Sequence, residues 1–263
     1  METPFEKTGL LFHLLPFLVN LFRYVLFAGG FYVVFYIWKK HPWKHRKIQP
    51  RFPSPSSLQN EVMYSLRTIL IFGAIGYLSV WCRIHGYFPN RFTPLTDPLS
   101  LAKLAGSVVC LMLLHDTWFY WTHRWMHLPS VYRWVHKIHH RSTNPSPWAS
   151  FSFHPLEAIV NAVFLPLSLA IFPFHPLALF IFLFLMILMN TIGHLGFEIF
   201  PDWFYHSKLG QWQNTSTHHN MHHRYMTSNY GLYFSFWDQI MKSNHPDYES
   251  ELNKVTGRER RDN

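Results

Sequence analysis

The stretch Ser216–Gly231 reads STHHNMHHRYMTSNYG and contains His219, His222 and His223 at positions i, i+3 and i+4. In an α-helix these positions share one face, with Cβ atoms about 5–6 Å apart. Two more stretches have related spacing, His136-Lys-Ile-His139-His140 and His123-Arg-Trp-Met-His127. Each triplet is therefore predicted to present three imidazoles from a single helical turn, and the pair to present two.

The histidines are concentrated in one part of the chain. Of 19 in total, fourteen lie between residues 115 and 223. Isolated histidines are interpreted as ordinary polar or interfacial side chains: His13, His41, His45, His85, His206 and His245. Imidazole binds iron, copper, zinc or nickel, and one structural zinc ion uses only four ligands. Eight histidines in three boxes therefore predict two neighbouring metal ions.

The composition is too apolar for an ordinary soluble domain, since 49% of the 263 residues are hydrophobic, 19% are aromatic and 14% are charged. Several apolar runs approach the roughly 20 residues that a membrane-crossing helix needs. The predicted spans are 10–38, 66–84, 98–121, 156–172 and 176–195, the last two joined as a tight hairpin. The predicted fold is all-α, a polytopic membrane helical bundle with a cytoplasmic histidine-rich helical cap.

The basic loop Lys39–Arg51 sets the predicted orientation. No acidic residue occurs between Glu6 and Glu61, so the positive-inside rule places this loop, and with it every histidine box, in the cytoplasm. The N-terminal run continues past a signal-peptide core and has no cleavage site, which predicts a retained anchor. The net charge of +9 is attributed to attraction to lipid headgroups rather than to nucleic acid.

Several motifs in order resemble one family. They are the three histidine boxes, Phe119-Tyr120-Trp121 before them, Phe153-His154-Pro155-Leu156-Glu157, Gly193-His194, Asn214 and, after the last box, Asn229-Tyr230-Gly231 and Phe236-Trp237-Asp238. Together they are similar to the sterol desaturase and fatty acid hydroxylase superfamily of histidine-box di-iron oxygenases, and in motif most like the sterol C-5 desaturases. The resemblance covers about residues 60–245. It divides the chain into an anchor and basic loop (1–60), a catalytic domain (61–245) and a charged tail (246–263).

The resemblance implies a helical membrane bundle around a non-haem site with two iron ions. The metal ligands that it implies are His123, His127, His136, His139, His140, His219, His222 and His223. It adds His154 and His194, for about five ligands per metal.

Neutral imidazoles leave the charge of two divalent ions uncompensated, so carboxylates are expected to accept the ligands' second ring N–H groups. The candidates are Asp116, Glu157, Glu198 and Asp238, of which at least two are expected to contact ligand histidines. His115 precedes His123 by eight residues, about 12 Å along a helix, and is interpreted as a residue of a substrate channel or behind the ligands. His218 is either a ligand or an orienting hydrogen-bond partner.

The resemblance implies an O2-dependent oxidoreductase that hydroxylates or desaturates a C–H position of a sterol, fatty acyl or isoprenoid lipid. Electrons then come from a separate donor, cytochrome b5-like or ferredoxin-like, because no such domain is recognisable in this chain. A histidine-rich metal transporter or metal-binding protein is the alternative, and a bis-histidine haem carrier leaves most of the histidines unexplained. The lack of a lysine-rich retrieval tail favours a bacterial inner membrane over the endoplasmic reticulum.

Overall fold

The computed structural model describes residues 10–89 and 95–257. Helix α1 begins as an α-helix over Leu10–Tyr24 and continues through π-helical turns at Val25–Gly29 and Val33–Trp38. The other helices, in chain order, are α2 (Pro55–Ile84), α3 (Pro98–Met126), α4 (Pro129–Val135), α5 (Pro155–Ile171), α6 (Pro176–Gly193), α7 (Asp202–Tyr205), α8 (Ser216–Tyr225), α9 (Phe236–Ile240) and α10 (Tyr248–Thr256). Residues 1–9 and 258–263, at the two ends of the predicted anchor and tail, lie outside this description.

Proline determines where five of these helices begin, because its φ suits the first helical position and its missing N–H has no partner there. Helices α2 to α6 all start at such a proline. The residue before it caps the helix in four cases. Ser54, Asp97, His154 and His175 each accept a hydrogen bond from a backbone N–H of the first turn.

Four helices are long and apolar enough to cross a membrane, over His13–Trp38, Pro55–Ile84, Pro98–Met126 and Pro176–Gly193. They confirm four predicted spans, although α2 begins eleven residues earlier than expected. The fifth, α5, has 17 residues and is about 26 Å long, shorter than the roughly 30 Å hydrocarbon core. The short loop Phe172–His175 joins it to α6 as predicted, but the two helices do not pack as a hairpin, because α5 lies mainly against α2 and α6 against α3. The chain is an integral membrane protein.

The fold is all-helical over the described residues, where β-type pairing is limited to two isolated bridges, Lys47 with Phe197 and Gln213 with Phe234. The spans pack through aromatic and small residues. A Cβ atom at Gly73 of α2 would lie 2.2 Å from the Phe17 ring of α1, so only glycine permits this close approach. The short helices and turns that follow the spans gather at the end where α3 and α6 finish, and they carry the histidine boxes.

Candidate metal centre

One histidine group collects five imidazoles whose ring nitrogens lie within 4.8 Å of one another. Its members are His123, His127, His136, His140 and His222. His123 lies in the last turn of α3, and His127 and His136 follow the ends of α3 and α4. The Nε2 atoms converge: His123 to His136 is 3.0 Å, and His140 is 3.1 Å from the Nε2 atoms of His127, His136 and His222. We call this set the five-histidine group.

A second group, the four-histidine group, consists of His139, His194, His219 and His223. His194 follows the end of α6, and His219 and His223 are one turn apart on α8. The Nε2 atom of His194 is the centre of this group, at 3.1–3.2 Å from Nε2 of the other three. Ring contacts connect the two groups, for example 4.8 Å between the centroids of His140 and His223.

Both triplets are divided between the two groups. His136 and His140 belong to the five-histidine group but His139 to the other, and His222 is separated in the same way from His219 and His223. The prediction of one helical turn holds for His219–His223, which lie in α8. It is wrong for His136–His140, because α4 ends at Val135 and His139 begins a 3-10 turn, His139–Arg141.

Hydrogen bonds at the opposite ring nitrogen determine which nitrogen carries the proton. Five Nδ1 atoms lie 2.6–3.2 Å from backbone carbonyl oxygens, and that of His136 lies 2.7 Å from Glu157 Oε1. The carbonyl pairs are His123 with Tyr230, His139 with Ser152, His194 with Asn190, His222 with Ser228 and His223 with Ser142. A carbonyl oxygen only accepts, so Nδ1 carries the hydrogen and Nε2 presents a lone pair.

Lone pairs that face one another at about 3 Å repel, and a cation between them removes the repulsion. Neutral imidazoles with Nδ1–H bonded to an oxygen are also the form in which histidine ligates a metal. Both groups therefore fit a metal ion, each with enough ligands for one.

Burial keeps these imidazoles neutral. It lowers the pKa of His194 to about 4, and it lowers the pKa of His127 to about 2 with a smaller contribution from His123. Burial and then neighbouring imidazoles hold the pKa of His139, His219 and His223 well below the usual range. At pH 7 the ligand nitrogens need not lose a proton before they bind a metal.

Only Glu157 of the four candidate carboxylates contacts a histidine of either group. Asp116 accepts hydrogen bonds from the backbone N–H of Tyr233 and Phe234. Glu198 accepts from Thr217 and from the Phe200 N–H. The expectation of at least two direct contacts is therefore wrong.

Asp238 is connected to a ligand histidine only through the backbone. It accepts from the N–H groups of Tyr230 and Gly231, and the Tyr230 carbonyl in turn accepts from His123. The carboxylates other than Glu157 thus orient backbone around the groups, where carbonyl oxygens serve as partners for most ligands. The amino-acid sequence does not identify these carbonyls, because every residue has a backbone oxygen and residue type does not show which of them contact a histidine.

Three histidines that the sequence analysis considered for the site, His115, His154 and His218, lie outside both groups. His154 is half-buried and caps α5, with its Nδ1 accepting from the Leu156 N–H. His218 Nε2 lies 3.2 Å from Asn244 Oδ1 and 3.7 Å from Asp238. His115 Nδ1 lies 2.8 Å from the Tyr233 hydroxyl, deep in the bundle.

A cavity of about 500 Å³ lies between α1, α2, α3, α5 and α6 and ends one side chain away from both groups. Its wall includes Phe119, whose ring is 4.8 Å from His123, and Phe153, whose ring is 5.0 Å from His139. Pro176 and Asn190 both line it, 14 residues apart on α6, so it extends about 21 Å along that helix. Apolar side chains dominate the lining, and His115 is one of its few polar groups.

Comparison of the amino-acid sequence with those of known proteins finds relatives with related names. The chain is 37% identical over 148 residues to the Delta(7)-sterol 5(6)-desaturase ERG3B of Gibberella zeae, covering 56% of this chain and 44% of that protein. It is 33% identical over 193 residues to human lathosterol oxidase, covering 71% and 62%, and 32% identical over 157 residues to the C-4 methylsterol oxidase erg25 of Schizosaccharomyces pombe, covering 58% and 49%.

The matched region thus spans roughly half the length of these relatives. No solved structure matches the chain. The fatty acid hydroxylase family model matches residues 108–243, which include every member of both histidine groups. The chain therefore belongs to the fatty acid hydroxylase family.

Proposed function

We propose that this protein is a membrane-bound non-haem di-iron oxygenase that hydroxylates or desaturates one C–H position of a lipid of the sterol class. The observation that carries the proposal is the pair of histidine groups against one end of a long apolar cavity. Each group would hold one iron ion through Nε2 atoms that are already free of protons. A sterol as substrate rests on the names of the three relatives and on the length of the cavity.

Two iron ions would supply activation of dioxygen and removal of hydrogen from an unactivated C–H bond, which no side chain performs unaided. The chain's own residues would do the rest. Phe119 and Phe153, which line the cavity and contact His123 and His139, would position one carbon of the lipid next to both groups. The apolar lining would exclude water, which protects the reactive centre from side reactions.

His115 would provide a polar contact within the cavity. Its Nδ1 pairs with the Tyr233 hydroxyl, and three aromatic rings, Phe119, Phe164 and Phe182, surround it with centroids at 4.7–6.4 Å. An imidazole in such a wall can hydrogen-bond one oxygen of an otherwise apolar lipid. This agrees with the interpretation of His115 as a channel residue rather than a ligand.

The electrons would come from a separate carrier that docks on the basic loop, in the orientation that places this loop in the cytoplasm. The loop lies next to the histidine groups, since Gln49 donates to Asn220 of α8 and the Arg46 carbonyl accepts from the Glu198 N–H. Lys40, Lys44 and Arg51 are exposed there, whereas Lys47 is buried and does not belong to the docking surface. An acidic cytochrome b5-like or ferredoxin-like protein would fit this charge.

The test is turnover in reconstituted membranes. Iron-loaded protein, dioxygen, a reductant with an electron carrier and a panel of Δ7-, 4-methyl- and saturated sterols would be assayed for oxidised product. His222→Ala should abolish the product, whereas His154→Asn, which keeps a capping side chain but lacks the imidazole, should retain it. Tight zinc that iron cannot replace, with no product from any sterol, would favour the metal-binding alternative instead.

A further inference from the structure

A set of apolar side chains on the histidine-bearing end of the molecule is left uncovered by the described part of the chain. Phe236 and Ile240 are one turn apart on α9, and Trp212 lies beside them with its ring 6.4 Å from that of Phe236. The exposed fractions are 44% for Phe236, 54% for Ile240, 42% for Trp212 and 82% for Leu209. We call Leu209, Trp212, Phe236, Ile240 and Met241 the interfacial face.

The interfacial face adjoins the outer surface of a membrane-spanning helix. Helix α3 carries exposed side chains at four-residue intervals, at Val109, Leu113, Trp121 and Trp125. Thr117 is the stripe residue between Leu113 and Trp121. Trp237 of α9 packs over it and donates a hydrogen bond from Nε1 to Thr117 Oγ1 (3.1 Å). The Trp237 ring also lies 5.5 Å from the ring of Trp121. Helix α9 therefore packs on the lipid-facing stripe of α3.

The depth of this contact follows from helix length. Helix α3 has 29 residues and is about 43 Å long, whereas the hydrocarbon core is about 30 Å thick. Measured from Pro98, Thr117 lies about 29 Å along the helix. With the far boundary of the hydrocarbon core placed at Pro98, Thr117 lies near the boundary between acyl chains and headgroups on the histidine side, and α9 lies at the same level.

Several backbone groups in the segment 231–235, which precedes α9, have partners within the protein, as contact with lipid requires. The Gly231 N–H donates to Asp238, the Tyr233 N–H to Asp116, and the Ser235 N–H to the Trp212 carbonyl. The carbonyl oxygens of Tyr233 and Phe234 accept from Asn214. These backbone groups therefore need no water for their hydrogen bonds.

We propose that the interfacial face inserts into the headgroup–acyl boundary of the leaflet on the histidine side, so that the cap rests in the membrane rather than above it. The partner is the lipid bilayer, because Trp237, next to Phe236 on α9, contacts the lipid-facing stripe of α3. Exposed Lys208 and Lys242 flank the face and can reach lipid phosphates, the arrangement of amphipathic elements that lie in an interface. Trp and Tyr are enriched at the same depth in membrane proteins.

The test uses single-cysteine variants in a Cys82→Ala, Cys110→Ala background, reconstituted in lipid nanodiscs that expose both membrane surfaces. Phe236→Cys and Ile240→Cys would be labelled with an environment-sensitive fluorophore. Val109→Cys serves as the lipid-facing control and Glu249→Cys, exposed on α10, as the aqueous control. Quenching by lipids with a nitroxide on the upper acyl chain is compared with quenching by iodide.

Labels at 236 and 240 should be quenched several-fold more strongly by the nitroxide lipid than the label at 249, and several-fold less by iodide. Iodide quenching equal to that at 249 would overturn the proposal. The proposal would also be overturned if the labels were protected from iodide only in nanodiscs that hold two chains, and not in those that hold one. That result would assign the face to contact with a second copy of the chain. Both readouts are independent of metal content and turnover, so they do not depend on the proposed function.

Discussion

Glu157 Oε1 lies 2.7 Å from Nδ1 of His136, and both side chains are almost fully buried. Of the four candidate carboxylates, Glu157 is the one that contacts a histidine of the two metal groups. Glu157 lies in the first turn of α5, three residues after the capping His154. It contacts His136 at Nδ1, opposite the Nε2 atom that faces the other imidazoles of the five-histidine group. With a metal ion on Nε2 of His136, the pair would form a carboxylate–histidine–metal arrangement, which fixes a ligand's orientation and raises its basicity.

Removing this carboxylate should weaken one metal site. In Glu157→Leu, the Nδ1–H of His136 loses its acceptor, and we expect the affinity of the five-histidine group for iron to fall about 10–100-fold. Glu157→Gln is the matched control, because its amide oxygen can still accept, and its loss should be smaller. Competition titrations with a metal-binding dye measure both. Equal affinities for the wild type and the Leu variant would contradict a role of Glu157 in metal binding.

The division of the boxes predicts that metals can be removed one at a time. His140→Ala should lose the metal of the five-histidine group and keep about one iron per chain, while His219→Ala should lose the other. His154→Asn should keep both, since His154 lies outside the groups. Elemental analysis after anaerobic iron loading checks this. Loss of both metals from either single variant would mean that the groups do not bind independently.

Filling the cavity should stop turnover without affecting the metals. Ala162→Phe adds a ring to the cavity wall on α5, and we expect product formation to fall at least about tenfold because overpacking leaves no room for the lipid. Ile159→Phe, on the exposed side of the same helix, is the matched control and should keep its activity. Iron content and thermal stability are measured for both. Full turnover by Ala162→Phe would show that the lipid binds elsewhere.

Lys47 predicts a pH dependence of stability. It is buried against the rings of Tyr36, Phe52 and Phe197, and burial lowers its pKa from 10.5 to about 8. Between these values the unfolded chain binds more protons, so stability should rise with pH from about 8 to 10.5, by roughly 3 kcal/mol in full. Below pH 8 both states are protonated and the contribution of Lys47 is constant.

The measurement is the unfolding free energy in detergent at pH 7.5–10.5 for the wild type and Lys47→Met. The variant should be the more stable at pH 7.5, and the difference should shrink as pH rises. A constant difference over this range would mean that contacts with the three rings and the Gly196 carbonyl (3.3 Å) keep the lysine charged.

Much of the fold is local in origin and was readable from the sequence. Apolar runs of sufficient length predict spans, and a proline after a capping residue marks where helices such as α3 and α6 begin. Imidazoles at helical spacing identified eight of the nine grouped histidines, and His194 followed from the family resemblance. These signals depend on residue type and spacing over a few turns, which do not change with the surroundings.

The partition of ligands into two groups depended on the tertiary structure. His139 and His140 are neighbours in sequence, yet a 3-10 turn after the end of α4 directs them to different groups. His154 and His194 both adjoin helix ends, but only His194 meets three imidazoles from other segments. The sequence alone determined which side chains can bind a metal. Only the packing of distant segments decided which of them share one, because a metal site requires nitrogens to converge in space, and that convergence depends on how helices that are far apart in the chain come together.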